Sequence, residues 1–351
     1  MSLKSFVSGF GLDMSRDIAI DLGTANTLIY ARGKGIVLNQ PSVVAVIKES
    51  GFEVPYLFGH EAKMMLGKTP AKISVHKPLQ DGVIADFKIA EEMIKHFVHS
   101  SGCGNKIFRP TIIVCVPLES TSVERKAIQE TVEKCGANEV FLIEEPMAAA
   151  IGAGLPVKDP AGSMVVDIGG GTSEIAIISL GGIVHGRSIK VGGEAMNKVI
   201  VEYIKQKYNL LVGETTAENI KKEIGVAYLR KGEEAKEAKI RGRDLATGTP
   251  KEIIITQNDI VSAVSDPVAE IVEASRNCLE TAPPELSSDI VDRGIVLTGG
   301  GALLKNLDYV LSEATGLPVF IAPRPLYCVA IGSGKVLEDY NNYTHILFRQ
   351  S

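Results

Sequence analysis

The chain has 351 residues, enough for two domains of ordinary size, with 45% hydrophobic and 23% charged residues. A formal charge of −5 with no run of five Lys or Arg argues against nucleic acid as a partner, and no stretch of 18 apolar residues spans a membrane. Cys103, Cys115, Cys135, Cys278 and Cys328 are scattered without metal-ligand spacing, which fits buried thiols in a reducing cytoplasm.

Residues 1–16 carry Leu3, Phe6, Val7 and Phe10 at helical spacing, opposite Lys4 and serines. This stripe suits a helix lying among lipid headgroups, or else a frayed terminus weakened by Gly9 and Gly11. Residues 18–29 read IAIDLGTANTLI: a strand bearing Asp21, a turn at 23–26, and a second strand. Residues 35–47 continue the sheet, with Pro41 marking an edge or turn. A helix is predicted over 61–66, a turn at Asp81-Gly82, and an amphipathic helix over 90–100 that includes His96 and His99 on a solvated face. The loop 102–109 holds Ile107 and Phe108, tucked into the core or left exposed for a partner surface. A strand over 111–116, a helix over 121–135 and a strand over 140–143 follow, and the last delivers Glu144 and Glu145 to its end. Pro146 suits the first turn of the next helix, and 154–162 is the expected domain boundary.

Residues 164–174 read MVVDIGGGTSE, and they repeat the first pattern. Asp167 aligns with Asp21 and Gly169 with Gly23, and both copies run on to Gly-Ile-Val; the aspartates stand 146 positions apart. A lone glycine hairpin needs no ligand. Two facing each other, each led by a carboxylate, can grip a polyphosphate whose charge is bridged by a hard cation. Helices are predicted over 194–208 and within 213–225, the latter opened by a capping box, Thr215 to Glu218. Residues 231–243 suggest an exposed strand pair, and 259–280 a long helix. Residues 294–304 read GIVLTGGGALL, a strand, three glycines and a helix whose N-terminus offers free N–H groups to a flat ligand. Gly332-Ser-Gly-Lys335 is not a phosphate loop, because Val329 and Val336 stand where Gly and Ser/Thr are required.

These pieces form one set: hairpins at 23–26 and 169–172 for phosphates, Asp21 and Asp167 for Mg²⁺ through its waters, and Gly299, Gly300 and Gly301 against base or ribose. Transfer of a γ-phosphoryl group to water needs positioning and charge stabilisation rather than a nucleophilic side chain. Glu145, with the Thr172 hydroxyl, is the candidate to orient that water.

The motifs DLGTAN (21–26), EPMAAA (145–150), DIGGGT (167–172) and LTGGGA (297–302) resemble the actin, Hsp70 and sugar-kinase ATPase superfamily. Within it the chain is most similar to the MreB family of bacterial actins. The resemblance implies an α/β actin-like fold of two duplicated domains, each with a smaller subdomain, and nucleotide in the cleft between them. It places the first domain at 17–155, completed by 320–339, and the second at 156–319, with subdomains near 35–77 and 191–250 and a tail at 340–351. It implies phosphate contacts from Thr24, Ala25, Asn26, Gly170, Gly171 and Thr172. Ribose and adenine contacts come from Glu218, Asn219, Ile220 and Lys221, and base contacts from Gly299 to Ala302. It further implies an ATPase using ATP/ADP and Mg²⁺ that forms paired antiparallel homopolymer filaments at the inner face of the cytoplasmic membrane and organises peptidoglycan synthesis. Phe6, Val7 and Phe10 or Ile107 and Phe108 would serve as anchor, Val123 would lie on the helix that pairs protofilaments, and RodZ, MreC, MreD and RodA would be partners. A sugar- or acetate-type kinase, or an Hsp70-like ATPase, is the alternative on the same fold. The tail 340–351 and Pro323-Arg324-Pro325 depart from the family pattern.

Overall fold

The computed structural model describes residues 17–49, 52–103 and 109–350. The first half opens with the meander β1 (Ile18–Leu22), β2 (Asn26–Ala31) and β3 (Gly35–Pro41). Next, β4 (Val44–Glu49), β5 (Phe52–Phe58), α1 (Gly59–Met64) and β6 (Ile73–His76) form a small unit whose sheet runs β5-β4-β6. The short pair β7 (Leu79–Gln80) and β8 (Val83–Ile84) leads to α2 (Phe87–Ser100), β9 (Thr111–Val116), α3 (Ser122–Lys134), β10 (Glu139–Glu144) and α4 (Glu145–Ala153). The second half repeats the plan with β11 (Ser163–Ile168), β12 (Ser173–Ser179) and β13 (Gly182–Ile189). There follow α5 (Gly193–Tyr208), β14 (Leu210–Leu211), α6 (Glu214–Ile224), β15 (Glu237–Asp244), β16 (Pro250–Thr256), α7 (Gln257–Glu280) and α8 (Pro284–Arg293). The chain finishes with β17 (Ile295–Thr298), α9 (Leu307–Thr315), β18 (Val319–Ile321), α10 (Cys328–Glu338) and α11 (Tyr340–Tyr343).

The duplication read in the sequence is a duplication of sheets. One large sheet runs β10-β9-β1-β2-β3 and the other β13-β12-β11-β17-β18. In each, an aspartate-bearing strand pairs antiparallel with the strand after its hairpin and parallel with a strand from later in the chain. β3 belongs to the large sheet, so the first small sheet starts at Val44 rather than at 35; β18 likewise closes the second large sheet although 320 onward was expected with the first half. Strands β11 and β12 are buried throughout, which is why their central stretches, 164–166 and 175–178, read as apolar runs. Between the two sheets, α4 crosses α10 in a shared core that includes Met147, Ala148, Ile151, Val165, Val329 and Val336.

Two helix starts differ from expectation for identifiable reasons. Asp86 accepts from the Ile89 N–H (3.0 Å) and caps α2, which therefore begins at Phe87 rather than 90. The capping box expected from Thr215 does not form: extended Gly213 is the N-cap of α6, and Glu218 is occupied by lysines. A capping box that the sequence reading did not name forms instead on α3, between Thr121 and Glu124. His96 and His99 are exposed, as a solvated face requires, and the His96 ring stacks on Phe58 with centroids 4.2 Å apart.

Candidate functional site

The two glycine hairpins meet. A Cβ added to Gly170 would come 2.7 Å from the Ala25 Cβ and 2.9 Å from its N, and one on Gly171 would come 2.7 Å from the Thr24 Oγ1. Only glycine allows backbones this close. The Asp81-Gly82 turn between β7 and β8 joins them, since the Gly82 N–H donates to Thr24 Oγ1 (3.1 Å) and the Thr172 methyl abuts Gly82. The sequence offered that turn only as a turn; its part in the site comes from contacts across 58 positions of chain. The second hairpin is closed by Gly169 N–H donating to Thr172 O (2.9 Å). It is tied to α5 by Gly193 N–H to Gly169 O (3.0 Å) and Glu194 N–H to Gly170 O (2.8 Å).

Carboxylates gather beneath these turns. Burial, and then the charge of Asp167, pushes Asp21 up to about 7. Burial pushes Asp167 up to about 6 against the opposing effect of the Thr298 hydroxyl, which donates to its Oδ1 at 2.7 Å. Glu145, the first residue of α4, is raised well above the usual carboxylate range by burial and by Glu174, Asp21 and Asp167 in turn. Glu174 is itself raised to about 7 by burial, although it accepts from Ser188 Oγ (2.7 Å) and the Leu118 N–H (3.2 Å). Several buried carboxylates raising one another's pKa form a set that a cation would relieve. Among the described residues no group of three or more His, Cys, Asp or Glu is placed to hold a metal. The pair of buried aspartates suits a hard cation that keeps most of its waters, as Mg²⁺ does.

The remaining candidates separate. Lys221 Nζ donates to Gly193 O; burial, offset in part by Glu218, lowers its pKa to about 8. Burial opposes ionisation of Glu218, yet Lys222 and Lys63 together hold it down at about 2. Asn219 is exposed, and the Ile220 side chain lies in the second-half core, so neither side chain is gathered with these two. Gly299 and Gly301 both back onto Ile168, and Ala302 is fully buried, so this stretch is shaped by packing on the end of β11. No α-helix follows the glycines directly. Residues 301–303 form a 3₁₀ turn, and Lys305, bridged to Val226 and accepting from the Ala227 N–H (2.8 Å), delays α9 to Leu307. Val123 stands outward on α3, 75% exposed. Leu3, Phe6, Val7, Phe10, Ile107 and Phe108 lie outside the described residues.

A family profile described as MreB/Mbl protein matches residues 15–345. The chain belongs to the MreB/Mbl family. The cell shape-determining protein MreB of Escherichia coli (strain K12) is 52% identical over 355 residues, covering 99% of each chain. MreB5 of Spiroplasma citri, in a crystal structure bound to ADP, superposes with a TM-score of 0.87 at 36% identity, covering 93% of this chain and 98% of that one; the same protein bound to AMPPNP gives the same score. A MamK double helical filament structure, at 20% identity and a TM-score of 0.78 over 92% of this chain and 99% of that one, shares the fold. The architecture is thus the actin-like one shared by MreB proteins. Among the described residues no helix is long and apolar enough to cross a membrane.

Proposed function

We propose that this MreB-family chain binds ATP with Mg²⁺ between its two large sheets, hydrolyses it, and assembles with itself into filaments. The observation that carries the reading is the meeting of two aspartate-led glycine hairpins over buried carboxylates. Thr24, Ala25, Asn26 and Gly170 to Thr172 present backbone N–H groups and hydroxyls suited to phosphate oxygens, around the turn that Gly169 closes with its own N–H. Asp21 and Asp167 would hold Mg²⁺, which when bound neutralises phosphate charge. Glu145 would orient the attacking water with the Thr172 hydroxyl. Glu218 and Lys221 would face the ribose and base, as Gly299 to Gly301 would from the far side. By analogy with ADP- and AMPPNP-bound MreB5, the nucleotide is an adenine nucleotide.

The wider role follows from the family: membrane-associated filaments, paired through the α3 face around Val123, that organise wall synthesis with partners of the RodZ, MreC, MreD and RodA kind. Residues 1–12, or Ile107 and Phe108, would anchor them. The test is ATP turnover and sedimentation across protein concentrations, with and without anionic liposomes, on the full chain and on one lacking residues 1–12. Turnover that rises with pelletable filaments supports the reading, and Glu145→Gln should cut turnover about a hundredfold while nucleotide still binds. Turnover that requires a small acceptor and yields no pellet would transfer the chain to the kinases.

A further inference from the structure

The C-terminal segment, for which the family pattern offered no place, packs on the strand that delivers Glu145. β10 is the edge of the first large sheet, and an edge strand leaves a row of N–H and C=O groups to be covered. Residues 348–350 cover it. The Leu142 N–H donates to Phe348 O (2.8 Å) and the Phe348 N–H returns to Leu142 O (3.1 Å). Arg349 Nε donates to Val140 O (3.1 Å), and its guanidinium lies over the Phe141 ring at 4.6 Å. The Gln350 N–H reaches Gln129 Oε1 on α3 (2.9 Å).

One side chain links this cover to the turn that bears Glu145. Arg125 on α3 has its guanidinium carbon 5.0 Å from the Phe348 ring centroid. The same group donates to Leu118 O (2.9 Å) and Ser120 Oγ (2.9 Å) and lies 3.7 Å from Glu144 Oε1. Glu144 is the N-cap of α4 and the immediate neighbour of Glu145. At its other end the segment grips the crossing of the two halves. Tyr343, Ile346 and Leu347 pack on the α4–α10 core, the Lys158 ammonium sits 3.8 Å from the Tyr343 ring centroid, and His345 rests on Gly181 of the second half.

From these contacts we infer that residues 340–350 are a strap which, through Phe348 and Arg125, positions Glu145 for hydrolysis. The inference rests on the assignment of Glu145 as the residue that orients the water. A displacement of about 1 Å at such a group can cost about a hundredfold in rate, so a partial loosening of the strap should read out in kcat and leave nucleotide affinity alone.

The test uses the full chain with ATP and Mg²⁺. Phe348→Ala and Arg125→Ala are each expected to lower kcat three- to tenfold with KM for ATP within twofold. The double variant is expected to fall no further than Arg125→Ala alone, because Phe348 acts through Arg125, whose bonds to Leu118, Ser120 and Glu144 are lost with it. Phe348→Tyr, which keeps the ring under the guanidinium, should restore the rate. Should Phe348→Ala not fold, Phe348→Leu keeps the apolar volume, loses the ring and carries the same comparison. Hydrogen exchange of peptides covering 139–145 should quicken in the same variants. Folded variants with wild-type kcat, or effects that simply add, overturn the inference. If Glu145→Gln leaves turnover unchanged while Phe348→Ala still quickens exchange, the site assignment has failed and the segment is a structural cover only.

Discussion

Asp21 and Asp167 carry opposite consequences for stability and for function. Their ordinary value is 3.8, and the fold lifts them to about 7 and about 6. A carboxyl whose pKa is raised by folding holds its proton more tightly in the native state. Its stabilising contribution is therefore complete below the unfolded value and lost as pH rises through the folded one. Without nucleotide and cation, the melting temperature should rise by about 2–5 °C as pH falls from 8 to 5.5, and Asp21→Asn should flatten that slope while abolishing Mg²⁺-dependent turnover. Differential scanning calorimetry at several pH values decides it; a flat wild-type profile would mean that burial does not raise the two carboxyls as described. The aspartates were legible in the sequence because the duplication marks both of them. Glu174 was not legible as part of the cluster. It reads as the first polar residue of a strand, and only its position across the sheet from Asp167 brings it in.

At the scale of elements, glycines divide into those a ligand would need and those a neighbouring backbone needs. Gly152 on α4 and Gly332 on α10 sit where the helices cross: a Cβ on the first would overlap the Cys328 carbonyl, and one on the second the Ala148 carbonyl. Gly334 similarly leaves room for the Tyr30 ring. Sequence reasoning could say that residues 332–335 are no phosphate loop, but a helix crossing leaves no local signature to say what they are. The same limit explains 299–301, whose missing side chains are filled largely by Ile168. Periodicity found many of the strands and helices but left β5, β6, α8 and α10 unread, and caps and turns failed where a distant partner decided, as with Lys63 and Lys222 on Glu218. Gly332→Ala is expected to destabilise the chain by about 1–3 kcal/mol through overpacking, read as a lower urea midpoint at unchanged slope. An unaffected midpoint would show that the crossing can relax.

At the scale of the whole molecule, ion pairs span the mouth of the cleft. Lys63 of α1 meets Glu218 of α6 at 2.8 Å, and Lys77, just past β6, meets Glu194 at 2.9 Å and also pairs with Glu214. All connect the first small unit to the second half, and Glu194 is the residue whose N–H holds the Gly170 carbonyl of the second glycine hairpin. Burial works against the charge on Lys77, but the hydrogen bonds to Glu214 and Glu194 raise its pKa overall, so the pairs are intact at neutral pH. Partly exposed pairs are each worth up to about 1 kcal/mol and are screened by salt. Together they should bias the cleft towards closure by roughly tenfold, and a closed mouth must open before nucleotide leaves. Release of a fluorescent ATP analogue, followed by stopped flow, should therefore quicken several-fold between low and high salt. Lys77→Glu should quicken it three- to tenfold at low salt and remove most of the salt dependence, and adding Glu214→Lys should recover part of the loss. Lys48→Glu, whose partner Glu53 lies within the same small sheet, should leave the rate alone. Equal release from Lys77→Glu and the wild type at low salt would mean that the halves are held by the α4–α10 crossing alone and that the pairs at the mouth only decorate it.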